Sequence, residues 1–224
     1  MKKIFVLMSL LFIATADMKA QDEQKLHFGL KASPTLAWLV SDTKGFESDG
    51  TKLGFSYGLI TEFNFSTHYA FATGVDVTYR GGKSKYSFSP NDSTTAITES
   101  AYNLEYIEIP ITLKLKTNEI GYLTYFLQFG VAPGINIRSK ADVKTTTQIG
   151  SNVTTVSEDA VDIKDGINNF NLSMIIGGGV EYTLSGSTVL LIGVTFNNGF
   201  LDILDGNAIK ANSDYLGLTV GVLF

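Results

Sequence analysis

Acidic and basic residues are thinly spread through the apolar parts of this chain, and most fall on one phase of a two-residue alternation. Lys31, Glu62, Asp76, Arg80, Glu108, Lys114, Arg138 and Glu181 all stand in stretches that alternate large apolar residues with small or polar ones. Opposite charges gathered on one face could line an ion path and select what passes. They could equally pair off and fill the space they share, because buried charges need partners. Other chemistry finds less support. With no cysteine and two histidines, no zinc set of ordinary spacing exists. His27 and His68 lie at the strand ends away from the long polar segments, so a histidine-assisted hydrolytic centre there is not expected. An acid-only centre drawn from Asp42, Asp49, Asp202, Asp205 and Asp214 is conceivable, but loop acids are far more often simply solvated. The expectation is no enzyme, no metal and no cofactor.

The elements that would hold these charges are strands. In "YIEIPITLKLK", residues 106–116, Ile107, Ile109, Ile111, Leu113 and Leu115 share one face. Tyr106, Glu108, Pro110, Thr112, Lys114 and Lys116 share the other. The same alternation predicts eight strands, at 26–36, 53–65, 69–80, 103–116, 121–137, 169–184, 188–199 and 213–224. Short turns alternate with long polar segments at 37–52, 81–102, 138–168 and 200–212. That rhythm predicts an all-β, eight-stranded antiparallel up-and-down transmembrane barrel, with long extracellular loops and short periplasmic turns. Pro110 is the misfit, since a closed barrel has no edge on which to place a residue without an N–H. A bulge or one missing ladder bond is the expected accommodation.

Size and charge decide which face is inside. An eight-stranded barrel has an interior only just wide enough for side chains to fill. Glycine, serine and a few charged residues fit there; the crowd of Phe, Tyr, Leu, Ile and Val on the other phase does not. A basic residue facing lipid near the midplane costs roughly 2–4 kcal/mol. Turning the charged phase outward would cost on the order of 10 kcal/mol, comparable to a domain's whole stability. A soluble barrel with the apolar phase inward would need a Lys- and Glu-rich exterior, for which glycine is a poor choice. The isoleucines are therefore expected to face lipid.

The N-terminus fits export. Lys2 and Lys3 precede an apolar run from Ile4 to Ala16, which predicts a signal peptide over 1–20 and a barrel domain over 21–224. Cleavage there would remove three lysines and one aspartate and take the net charge from −5 to −7. An acidic chain with scattered basic residues argues against nucleic acid. An exported chain without cysteine must rely on packing, backbone pairing or a membrane for stability. The expected location is the cell outer membrane, as an integral multi-pass protein, with outer-membrane lipid and lipopolysaccharide as surroundings.

Three stretches carry a family resemblance. "YIEIP" resembles the Tyr-(Leu/Ile)-Glu-(Ile/Leu)-Pro signature of the PorT-type outer-membrane β-barrel family. "HFGLKASPTL" resembles that family's opening strand, and "GVDVTYRGGK" its third strand with the following glycines. A last strand ending in Phe224 resembles the signal by which the barrel-assembly machinery recognises such chains for insertion. The resemblance implies a porin-like barrel, and it leaves open whether this chain is an accessory component of a protein secretion system. Fold likeness alone does not supply a function.

For the interior charges, a plug of paired residues is favoured over a selectivity filter in so narrow a barrel. A structural, porin-like or accessory interaction role is expected, with a small-solute or ion channel as the alternative. The segment 138–168 has β-propensity without a core of its own. It is the place where a protein partner could dock along strands prolonged beyond the membrane.

Overall fold

The computed structural model describes residues 25–91, 94–206 and 209–224. The expected signal peptide lies outside the described residues. The elements in chain order are β1 (Leu26–Val40), β2 (Phe46–Ser48), β3 (Lys52–Ser66), β4 (Tyr69–Asn91), β5 (Thr94–Glu108), β6 (Ile111–Lys116), β7 (Leu123–Ile149), β8 (Asn152–Asp162), β9 (Phe170–Ser185), β10 (Thr188–Gly199) and β11 (Asn212–Leu223). A single 3-10 turn, Lys164–Gly166, separates β8 from β9.

Each neighbour pair is antiparallel, and the ring runs β1, β3, β4, β5 with β6, β7, β9, β10, β11 and back to β1. That is an eight-stranded barrel in which β5 and β6 are two halves of one crossing. The gap between them holds Pro110, and the register does not slip across it. Glu108 faces Gly134 and Ile111 faces Val131 on β7, while Asp76 and Thr73 match on β4. The proline is thus accommodated by a lost ladder bond rather than a bulge, and Ile109 N still donates to Pro133 O at 2.9 Å.

The faces are inverted relative to a soluble protein. Leu59, midway along β3, is 56% exposed, and the outward residues of every crossing strand are likewise large and apolar. The inward phase is glycine, alanine, serine, threonine and the buried charges. On that phase a side chain often has no room: a Cβ at Gly58 would lie 2.3 Å from Asp76 Oδ1.

The strands on one side run much further than the alternation alone predicted. β4 has 23 residues and β7 has 27, against the 9–11 that suffice to cross a bilayer. Most of 81–102 and 138–168, expected as loops, is therefore extracellular β-sheet. In it β2 flanks β4, β4 pairs β5, β5 pairs β7, and β8 adds to β7 as the outermost strand. Gly150, at a φ of 60°, makes the tight turn between β7 and β8. The other correction concerns 200–212, expected as a solvated loop. Ile203 and Ala211 are each only 1% exposed and pack with Leu39, Phe46, Leu104, Tyr106 and Ile167 in the extracellular mouth. Asn168 holds this inward tuck by donating from Nδ2 to Asp202 O (2.9 Å) and Leu204 O (3.1 Å).

Candidate functional site

Within the barrel the inward side chains form layers. Near the periplasmic end, Glu62 on β3, Lys114 and Lys116 on β6, and Glu181 on β9 meet. Lys114 Nζ donates to both Glu62 Oε1 and Glu181 Oε1. Lys116 Nζ lies 2.9 Å from Glu62 Oε2 and 3.0 Å from Glu181 Oε2. Two cations and two anions so close a balanced square in which each carboxylate holds both ammonium groups. Residues 114 and 116 share a face by strand alternation, so the pair is a direct product of period two. Lys114 is fully buried and also sits 4.1 Å above the Phe126 ring. Phe126 belongs to an apolar cluster with Ile60, Leu191 and Leu223 in this half of the barrel.

The middle layer is polar. Lys31 Nζ pairs with Asp76 Oδ2 at 2.7 Å beside a cavity of about 50 Å³ that Gln128, Thr195 and Thr219 also line. Further out, Arg80 Nη1 lies 3.2 Å from Glu108 Oε1, and its guanidinium stacks 4.4 Å above the Tyr106 ring. Glu108 Oε2 accepts from Thr78 Oγ1 (3.0 Å) and Tyr215 Oη (3.3 Å). Arg80 also donates to Asn197 Oδ1 at 3.4 Å, and Asn197 Nδ2 donates to Ser173 Oγ at 2.8 Å. Above this layer stands the apolar cluster of the extracellular mouth, which includes Tyr106 itself.

All the charges singled out from the sequence except Arg138 point into the barrel. Arg138 is exposed on the outer face, because β7 gains one residue against β5 between the Glu105–Arg138 and Tyr106–Asn136 pairs. A one-residue slip moves every following side chain to the opposite face. Sequence reasoning left Lys116 out of the proposed network, although its place two residues after Lys114 marked it. It also passed over Tyr215, Thr78 and Asn197, whose neutral side chains give no signal of which charge they serve.

The acids considered for a catalytic centre are not brought together. Asp42, Asp49 and Asp205 are exposed, and Asp214 accepts from Gly199 N and Asn198 Nδ2, both at 3.0 Å, as a strand-end clasp. His27 Nδ1 faces Asn64 Nδ2 (3.1 Å) and His68 Nε2 faces Asn118 Oδ1 (3.0 Å), both at the periplasmic end. Among the described residues no group of three or more potential metal ligands forms.

Among solved structures, the chain is similar to Neisserial surface protein A (NspA), at 16% identity and a TM-score of 0.46, covering 88% of this chain and 95% of that one. It is similar to OprG from Pseudomonas aeruginosa, at 12% identity and a TM-score of 0.43, covering 88% and 95%. It is also similar to Ail, the attachment invasion locus protein of Yersinia pestis, at 13% identity and a TM-score of 0.36, covering 90% and 100%. No curated protein sequence matches it. The family model described as "Outer membrane protein beta-barrel domain" matches residues 19–222. The lipid-facing apolar wall, the closed antiparallel ring and this match agree: the chain belongs to the outer membrane protein beta-barrel domain family and is an integral outer-membrane protein.

Proposed function

We propose that this protein is a closed, non-enzymatic barrel that acts by presenting its extracellular β-sheet to a partner rather than by passing solutes. The observation that carries the reading is Lys114, fully buried and held between Glu62 and Glu181 across the interior. Apolar clusters flank the polar middle on both sides, and the cavity left between them, about 50 Å³, has room for water alone. Small-molecule sites are typically several times larger.

The sheet supports the second half of the reading. Among the described residues β8 pairs only with β7, and ten of its eleven residues are exposed, so it leaves a free row of backbone donors and acceptors. Such an edge accepts an added strand. Glu158, Asp159 and Asp162 make it acidic, so an extended segment carrying basic residues suits it. The sheet stands above a wall that lipid and lipopolysaccharide surround.

Single-channel recording of the purified protein in a planar bilayer tests the reading. A silent bilayer, with folding confirmed by heat-modifiable migration, is expected. Steady ion-selective openings that change with Glu108→Gln or Arg80→Gln would replace it with the channel alternative.

A further inference from the structure

The outer wall carries a basic cleft that reaches in as far as Arg80 and Leu104. It has a volume of about 240 Å³, and its lining includes Lys52, Tyr79, Asn103, Glu105, Arg138 and Lys140. Its origin is the bulge in β7: Ile137 and Arg138 both end up exposed, and Lys140, two residues on, shares the outer face with Arg138. Bulges re-aim side chains in this way. Lys52 arrives from β3, and its Nζ donates to Asn103 Oδ1 on β5. To do so it crosses β4 where the residue opposite Asn103 is Gly81, which has no side chain to block the reach.

The cleft sits at a boundary. Leu53, Ile107 and Ile135 are exposed apolar residues beside it on the lipid-facing band, and Tyr79 stands at the band's edge. Lys52 stands at the top of that band, its Nζ hydrogen-bonded to Asn103 Oδ1. Among the described residues, none of Lys52, Arg138 and Lys140 has a carboxylate within 4 Å. Glu105 faces Arg138 in register, and Asp142 is engaged by Asn103 Nδ2 (3.4 Å) and Ala160 N (2.8 Å). Asp162 faces Lys140 in register on β8, so what marks the cleft is the gathering of Lys52, Arg138 and Lys140 at the rim of an apolar band.

We propose that this cleft binds the phosphate of a phosphorylated glycolipid in the outer leaflet. The Arg138 guanidinium offers a planar fork for two phosphate oxygens, and the two ammonium groups supply further charge-assisted donors. A lipid whose chains lie along Leu53 and Ile135 brings its headgroup phosphate to this level. A dissolved anion would meet the same cations but gain nothing from the apolar border. The inference is independent of the closed interior, because a conducting barrel would have the same outer wall.

The test is binding of lipid A to the purified full chain in detergent, with bisphosphorylated and dephosphorylated lipid A compared side by side. The expected result is at least tenfold tighter binding of the phosphorylated lipid. That preference should disappear in the variant carrying Lys52→Gln, Arg138→Gln and Lys140→Gln, and survive in a control carrying Lys44→Gln, Lys144→Gln and Lys210→Gln. Equal binding of the two lipids by the unsubstituted protein overturns the proposal without reference to any variant. So does a folded triple variant that keeps the preference. Inorganic phosphate competing at the same concentration as the lipid would assign the cleft to a soluble anion and overturn it too. Should the triple variant not fold, Arg138→Gln alone must lose the preference by threefold or more.

Discussion

β4, β5 and β7 each pass through two environments, and the contrast between their lower and upper halves is instructive. Below, they are staves of a closed ring: large residues face lipid, and the charges are folded inward against one another. Above, the same strands form an open sheet wetted on its outer surface and bordered by the unpaired edge of β8. Leu59 on the wall and Val156 on β8 have nearly equal exposure, 56% and 54%, yet one meets hydrocarbon and the other water. Exposure alone therefore says nothing about what a surface residue tolerates. The solvent on the other side decides.

The deepest break in this contrast is Lys114→Ala. It leaves Glu62 and Glu181 buried with Lys116 alone between them, and should cost about 3–5 kcal/mol in urea unfolding of the detergent-folded protein. A loss under about 1 kcal/mol would mean that the square is not a structural unit. Next comes a matched pair. Leu59→Lys should cost about 2–4 kcal/mol in lipid bilayers, whereas Val156→Lys should stay within about 0.5 kcal/mol. Equal effects would erase the distinction between wall and sheet. Glu108→Ala should cost about 2 kcal/mol by leaving Arg80 without its carboxylate, with Asn197 and the Tyr106 ring still in place. Unchanged thermal unfolding in detergent would count against that pairing. The smallest effect is expected from joining residue 142 to residue 160, which removes the β7–β8 tip. Heat-modifiable migration should be unaltered, and unfolding of the barrel should shift by no more than about 0.5 kcal/mol.

The crossing strands were legible because lipid imposes a sharp contrast between faces, and "YIEIPITLKLK" carries it in nearly every residue. The extension of β7 was legible only as β-propensity in 138–168 and a possible prolongation of the strands, without bounds. In "VKTTTQIGSNVTTV" both phases are threonine, valine and other residues content in water, so period two loses its amplitude although the backbone stays extended. The inward tuck of 200–212 escaped notice because its apolar residues, Leu201, Ile203, Leu204, Ile209 and Ala211 among them, are broken by Asp202, Asp205 and Lys210 into no regular period, and only the mouth they fill explains them. The buried charges were legible from phase alone, until one inserted residue near position 137 reversed the phase and sent Arg138 outside.

The seam between β1 and β11 has a consequence for how the molecule comes into being. Gly29 pairs with Leu223 and Leu30 with Val222, so the first strand made waits for the last before its outer edge is satisfied. Contacts this distant along the chain make closure slow and place it late. Until then the chain is a curved sheet with two raw margins and a greasy back, and every shorter version of it remains so. A ribosome that stops early, or a protease that trims the final strand, does not produce a slightly weaker barrel. It produces an object with no finished form, its first strand left with an open edge.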